Sequence, residues 1–136
     1  MRDLVPVADL AVEPAEYRAS FRLMSNILDL ASAAGNAAEA IRGSGVPDCR
    51  ATRQADAFVE AVKSLPAYLS DGCRPGGFEP RMRSLDDWKA HLAQALEIAR
   101  HLHGELWKLP EAGRGEPAEH LARLASRIED GERLAA

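Results

Sequence analysis

Two Glu-x-x-x-His pairs, Glu97 with His101 and Glu116 with His120, come nearest in type and spacing to metal chemistry. On a helix, side chains four apart share a face, so each pair could offer a carboxylate oxygen and an imidazole nitrogen to one cation. Bundles that hold two metals use inward-facing carboxylates and a Glu-x-x-His step, and the step here is one residue longer. Phase is the stronger objection. With Leu85 and Trp88 at heptad positions a and d, Glu97 falls at f and His101 at c, both toward water. Glu116 and His120 stand at the start of a helix, where acidic residues are favoured by the dipole alone. Both pairs therefore read as solvated surface pairs, with no metal and no cofactor implied. His91 and His103 flank the same seam at g and e. Cys49 and Cys73 lie at opposite ends of an expected helix, roughly 30 Å or more apart, beyond disulfide reach and without a histidine set that would complete a zinc site. They read as free thiols. Cys49, between Asp48 and Arg50 at a helix start, is placed for some thiolate character, but no base accompanies it.

Arg114 and His120, with five residues between them, offer a cation and a proton-transfer group at the entry to the last helix. In outline this resembles the helical ribonucleases of the HEPN class, in which an arginine, a gap of four to six residues and a histidine pair across a dimer to cleave RNA. The resemblance rests on these two residues, and Gly115 stands where a polar residue commonly follows the arginine. It implies Arg114 and His120 as catalytic residues. A second cluster, Arg74, Arg81 and Arg83 with Phe78 and Met82 among them, is the most locally basic stretch of the chain. Such a loop suits a protein interface or a nucleic-acid backbone, and equally an apolar plug at one end of a bundle with solvated arginines around it.

Charge weighs on these readings. Across 136 residues, 17 Lys and Arg face 21 Asp and Glu, a formal charge of −4, which argues against general binding to phosphate backbones. Hydrophobic residues make up 46% but aromatics only 5%, so the core must be thin and alanine-rich. The length suits one domain. The first ten residues include Arg2, Asp3, Pro6 and Asp9, which interrupt any apolar run of signal-peptide type. No stretch approaches transmembrane length, and the cytoplasm is the expected compartment.

The elements that must position these residues are helices. Leu85, Trp88, Leu92, Ala95, Ala99, Leu102, Leu106 and Leu109 alternate spacings of three and four, the seam of a helix packed lengthwise on others. Val5 to Val12 alternates apolar and polar residues between Pro6 and Pro14, and residues 1–13 read as an extended arm. Helices are expected over about 14–42, 48–71, 84–109 and 116–134 in a single domain. Asp48 is the expected N-cap of the second, and Ser84 with Asp87 forms a capping box for the third. Pro66 should break the second helix near Ser64 and Leu65. The first helix carries two apolar stripes, one through Tyr17, Phe21, Met24, Leu28, Ala31, Gly35 and Ala38, the other through Leu23, Ile27, Leu30, Ala34, Ala37 and Ile41. In the fourth, Leu121, Leu124, Ile128 and Ala135 point inward, with Gly131 weakening the stripe.

The fold expected is all-α, an up-down four-helix bundle with an N-terminal arm. The function that fits is a non-enzymatic interaction module: an adaptor, an accessory subunit or a self-assembling bundle, with a protein partner or a second copy as its target. The small-residue stretch through Ala31, Ala34, Gly35 and Ala38, together with Arg74, Phe78, Arg81, Met82 and Arg83, would supply the contacts. The alternative is a nucleic-acid-directed protein, through Arg114 and His120 or within a complex. A third is a small-molecule pocket lined by Trp88, Tyr17 and Phe58.

Overall fold

The computed structural model describes residues 14–67 and 84–136. The expected arm, Cys73 and the arginine loop from Arg74 to Arg83 lie outside the described residues. Four helices have full bounds among the described residues: α1 (Pro14–Gly43), α2 (Arg50–Val62), α3 (Leu85–Trp107) and α4 (Gly115–Ala135). They pack against one another with no strand among the described residues.

Each end has a local cause. α1 stops at Gly43, and the turn after it places Gly45 at φ 94°, a left-handed conformation that glycine adopts without strain. α2 begins later than the pattern suggested: Cys49, not Asp48, is its N-cap. Thr52 takes the reciprocal role, its Oγ1 accepting from the Cys49 N–H at 2.9 Å while its hydroxyl donates to Asp48. The helix ends at Val62, and the turn beyond it closes with the Ala67 N–H on the Ser64 carbonyl at 3.1 Å. That break lies where Pro66 lacks a donor for the residue 62 carbonyl. At α3 the Ser84–Asp87 capping box forms, the Asp87 N–H reaching Ser84 Oγ at 3.2 Å and the Ser84 N–H reaching Asp87 Oδ2 at 3.1 Å. The neighbouring Leu85 N–H donates to Glu16 Oε2 at 2.8 Å, which fastens the start of α3 to the start of α1.

The contacts give an up-down-up-down order. Gly35 of α1 faces Val59 of α2, and Arg42 binds Asp56 through both guanidinium nitrogens at 3.2 and 3.3 Å, so these helices are antiparallel. Asn26 donates to the Arg127 carbonyl at 3.3 Å, while Gly43 lies near Glu116, so α1 and α4 are antiparallel as well. α1 packs extensively on all three other helices, whereas α2 meets α3 far less.

Both apolar stripes of α1 account for this. Ala31, Ala34, Ala37 and Ala38 are 0–1% exposed, as are Ile27, Leu30 and Ile41. The four alanines of the small-residue stretch are thus covered by the chain's own helices, with Gly35 partly exposed beside Val59. On α3, Trp88, Leu92, Ala99, Leu102 and Leu106 are buried as the seam required. Two positions differ from expectation. Phe21 is 50% exposed despite its place on the stripe, and Ala135 is exposed while Leu134 packs against the core.

Gly131 costs α4 helix propensity but lets it pack closely on its neighbours. A Cβ there would lie 2.5 Å from Asn26 Oδ1 and 2.7 Å from Leu96 Cδ2, so its absence sets how closely α1, α3 and α4 approach. Asn26 Oδ1 is buried without a hydrogen-bond partner, packed where that Cβ would be. Gly104, by contrast, would place a Cβ in open space. Gly131→Ala should lower stability in urea unfolding by about 1–3 kcal/mol even after helix propensity returns ~1 kcal/mol. Gly104→Ala should raise it by about 0.5–1 kcal/mol. Equal effects at the two sites would contradict this packing.

Candidate functional site

A concavity follows from the weak meeting of α2 and α3. Gln54 and Ala61 of α2, and Ser64 just beyond it, border the gap with short or polar side chains. A cavity of about 300 Å³ results, with Ile27, Phe58 and Leu65 in its lining and Ala61, His91 and Ile98 completing it. A second hollow of about 410 Å³, bordered by Gln54, Glu97, His101 and Leu102, shares Gln94 and Ile98 with the first. Together they form one groove whose centres are offset along α3 by about one helical turn.

The lining is mainly apolar and Ile98 is 39% exposed on its edge, an uncommon position for a large β-branched side chain. Among the described residues no carboxylate lines the deeper hollow, where Ser64, His91 and Gln94 supply the polar groups. These residues can seat an apolar side chain and hydrogen-bond its flanks. Sequence reasoning missed the groove. Its signals were Ile98, isolated among polar positions off the seam, and Ala61.

The other candidates are dispersed. Arg114 is an exposed N-cap residue whose guanidinium donates to Glu111 Oε2 at 3.0 Å. His120 lies half-buried in a separate polar cleft with Asn36, Glu39 and Glu116, its Nδ1 3.4 Å from Arg123. The two carboxylates of that cleft are ill-suited to a phosphodiester. Glu97 and His101 are exposed, and among the described residues no group of three or more His, Cys, Asp or Glu side chains is placed to hold a metal ion. Of the expected pocket residues, Trp88 is 1% exposed in the core, Tyr17 packs against the core and Phe58 lines the groove. His103, expected at the core margin, stacks on the exposed Trp107 ring with centroids 6.3 Å apart. Among the described residues no helix is long and apolar enough to cross a membrane.

Cys49 is a half-buried free thiol. The Thr52 backbone N–H, pointing out of the first turn of α2, lowers its pKa, and the Thr52 hydroxyl and Ala51 N–H add to the effect against the opposing cost of burial. The thiolate should therefore form at lower pH in the folded chain than in the unfolded one. In a Cys73→Ser background, the pH midpoint of iodoacetamide alkylation should rise when the protein is unfolded in urea, and rise partway in Thr52→Val. An identical midpoint in the folded and unfolded chains would contradict the assignment.

No protein-family model, no curated protein and no solved structure matches this chain.

Proposed function

We propose that the protein is a non-enzymatic helical interaction module whose working surface is the groove between α2 and α3. The observation that carries this reading is the seam itself: an apolar hollow over Ile27, Phe58 and Leu65, left open by small residues on α2 and edged by the exposed Ile98. Two adjoining hollows that share Gln94 and Ile98 give one docked helix a continuous seat along α3. The mainly apolar lining and the rim of Gln94, His91 and His101 have the make-up of a small interface. An RNA-directed role draws no comparable support, since Arg114 is engaged by Glu111 and His120 shares its cleft with two carboxylates.

A photo-crosslinking residue at position 98 tests the reading in cells producing the full chain. It should give a discrete protein adduct, and Ala61→Leu, which fills the groove, should abolish that adduct while leaving helicity and unfolding midpoint unchanged or raised. The same crosslinker at the exposed Ala93, on the other flank of α3, should give none. Absence of an adduct at 98, or its persistence in Ala61→Leu, would overturn the reading.

A further inference from the structure

The ridge of α3 that borders the groove has an internal symmetry. Ile98 stands at its centre, with His91 seven residues before it and Glu105 seven residues after. Seven residues are two helical turns, so all three lie on nearly one line along the helix. His91 and Ile98 line the deeper hollow. Glu105 continues the same line of α3 and accepts a hydrogen bond from Lys108 Nζ at 3.0 Å, which holds its carboxyl below the usual range. Gln94 and His101, between centre and ends, repeat the pattern with polar groups able to bond one another.

We infer that the groove receives a second copy of this chain, with the two α3 helices crossing antiparallel at Ile98 about a two-fold axis. This rests on the interaction reading above and names its partner. An isologous contact requires one surface to carry both a projection and the recess that takes it. Here the projection is Ile98 and the recess is the hollow beside it, closed on the α2 side by Ala61, where a larger residue would obstruct the approaching helix. Antiparallel alignment about Ile98 sets His91 against the partner's Glu105, and Glu105 against the partner's His91, so an imidazole N–H donor meets a carboxylate twice. A parallel alignment would set like against like. Gln94 meets the partner's His101 in the same register. With one central apolar pair and a polar rim, the contact belongs to the weak, reversible class of interfaces.

Within one copy His91 and Glu105 are fourteen residues apart, about 21 Å of helix, too far to touch. Glu105→His also removes the bond from Lys108 within its own chain, so recovery in the double variant is what reports on contact between copies. Light scattering from micromolar to millimolar concentration should show the mass rising from 14.7 kDa toward twice that value. His91→Glu should weaken dimerisation about tenfold or more by placing two carboxylates together. Glu105→His should weaken it too, and the double variant His91→Glu with Glu105→His should recover affinity close to that of the natural chain. Ile98→Glu should leave a monomer with unchanged helicity. A natural chain that stays at 14.7 kDa throughout, or single variants that weaken without recovery in the double, would overturn the inference. If the natural chain stays monomeric while the adduct at position 98 forms with a different protein and is lost in Ala61→Leu, the second copy is refuted and the interaction reading stands. Loss of both refutes both.

Discussion

Everything in this bundle depends on how little side-chain volume lies along the inner face of α1. Ala31, Ala34, Ala37 and Ala38 on that face, and Ala95 and Ala99 on α3, let the backbones approach closely while remaining almost fully buried. Gly35 against Val59 and Gly131 against Asn26 and Leu96 extend the same device to α2 and α4. A small residue contributes little buried area itself, but it brings the larger side chains around it, Ile27, Leu30, Leu102 and Leu121, into contact across three helices. An aromatic content of 5% is enough for a single core on these terms.

That closeness has a geometrical consequence. In a square bundle α1 and α3 would be diagonal and distant, with α2 seated evenly between α3 and α1. Here α1 packs extensively on α3 as well as on its sequence neighbour, and the contact left between α2 and α3 is thin. The short flank of α2 does not make up the difference, so among the described residues Phe58 and Ile27 line a groove between the two helices. The same packing that stabilises the fold thus creates this recess. The Glu16 bond to the Leu85 N–H and the Arg42 pairing with Asp56 tie α1 to α3 and to α2 respectively, holding the walls of the recess to a common support.

Much of the fold was legible from the sequence. The seam from Leu85 to Leu106, the Ser84 and Asp87 capping box and the break before Pro66 all follow from local rules of periodicity, capping and missing donors, which need no tertiary information. What escaped were features decided by neighbours. The alanine stretch was legible as a surface for close approach, but not that the chain's own helices cover it. Gly131 read as a weakness because propensity is a local quantity, whereas its value lies in Asn26, more than a hundred residues away. Phe21 followed the α1 stripe yet stands half exposed, although Tyr17 before it and Met24 after it pack on the core, because the width of the covered face is set by the neighbouring helices and not by the stripe. The groove was invisible for the same reason: an exposed isoleucine and an alanine acquire meaning only once α2 and α3 are side by side.

The most direct test of the groove as a docking surface is methyl NMR of the full chain over a concentration series. Self-docking predicts shifts confined to Ile98, Ile27, Val62 and Leu65, with Leu121 and Leu124, buried elsewhere in the core, unchanged. Groove methyls that hold their positions up to millimolar concentration, or shifts spread equally to Leu121 and Leu124, would contradict it.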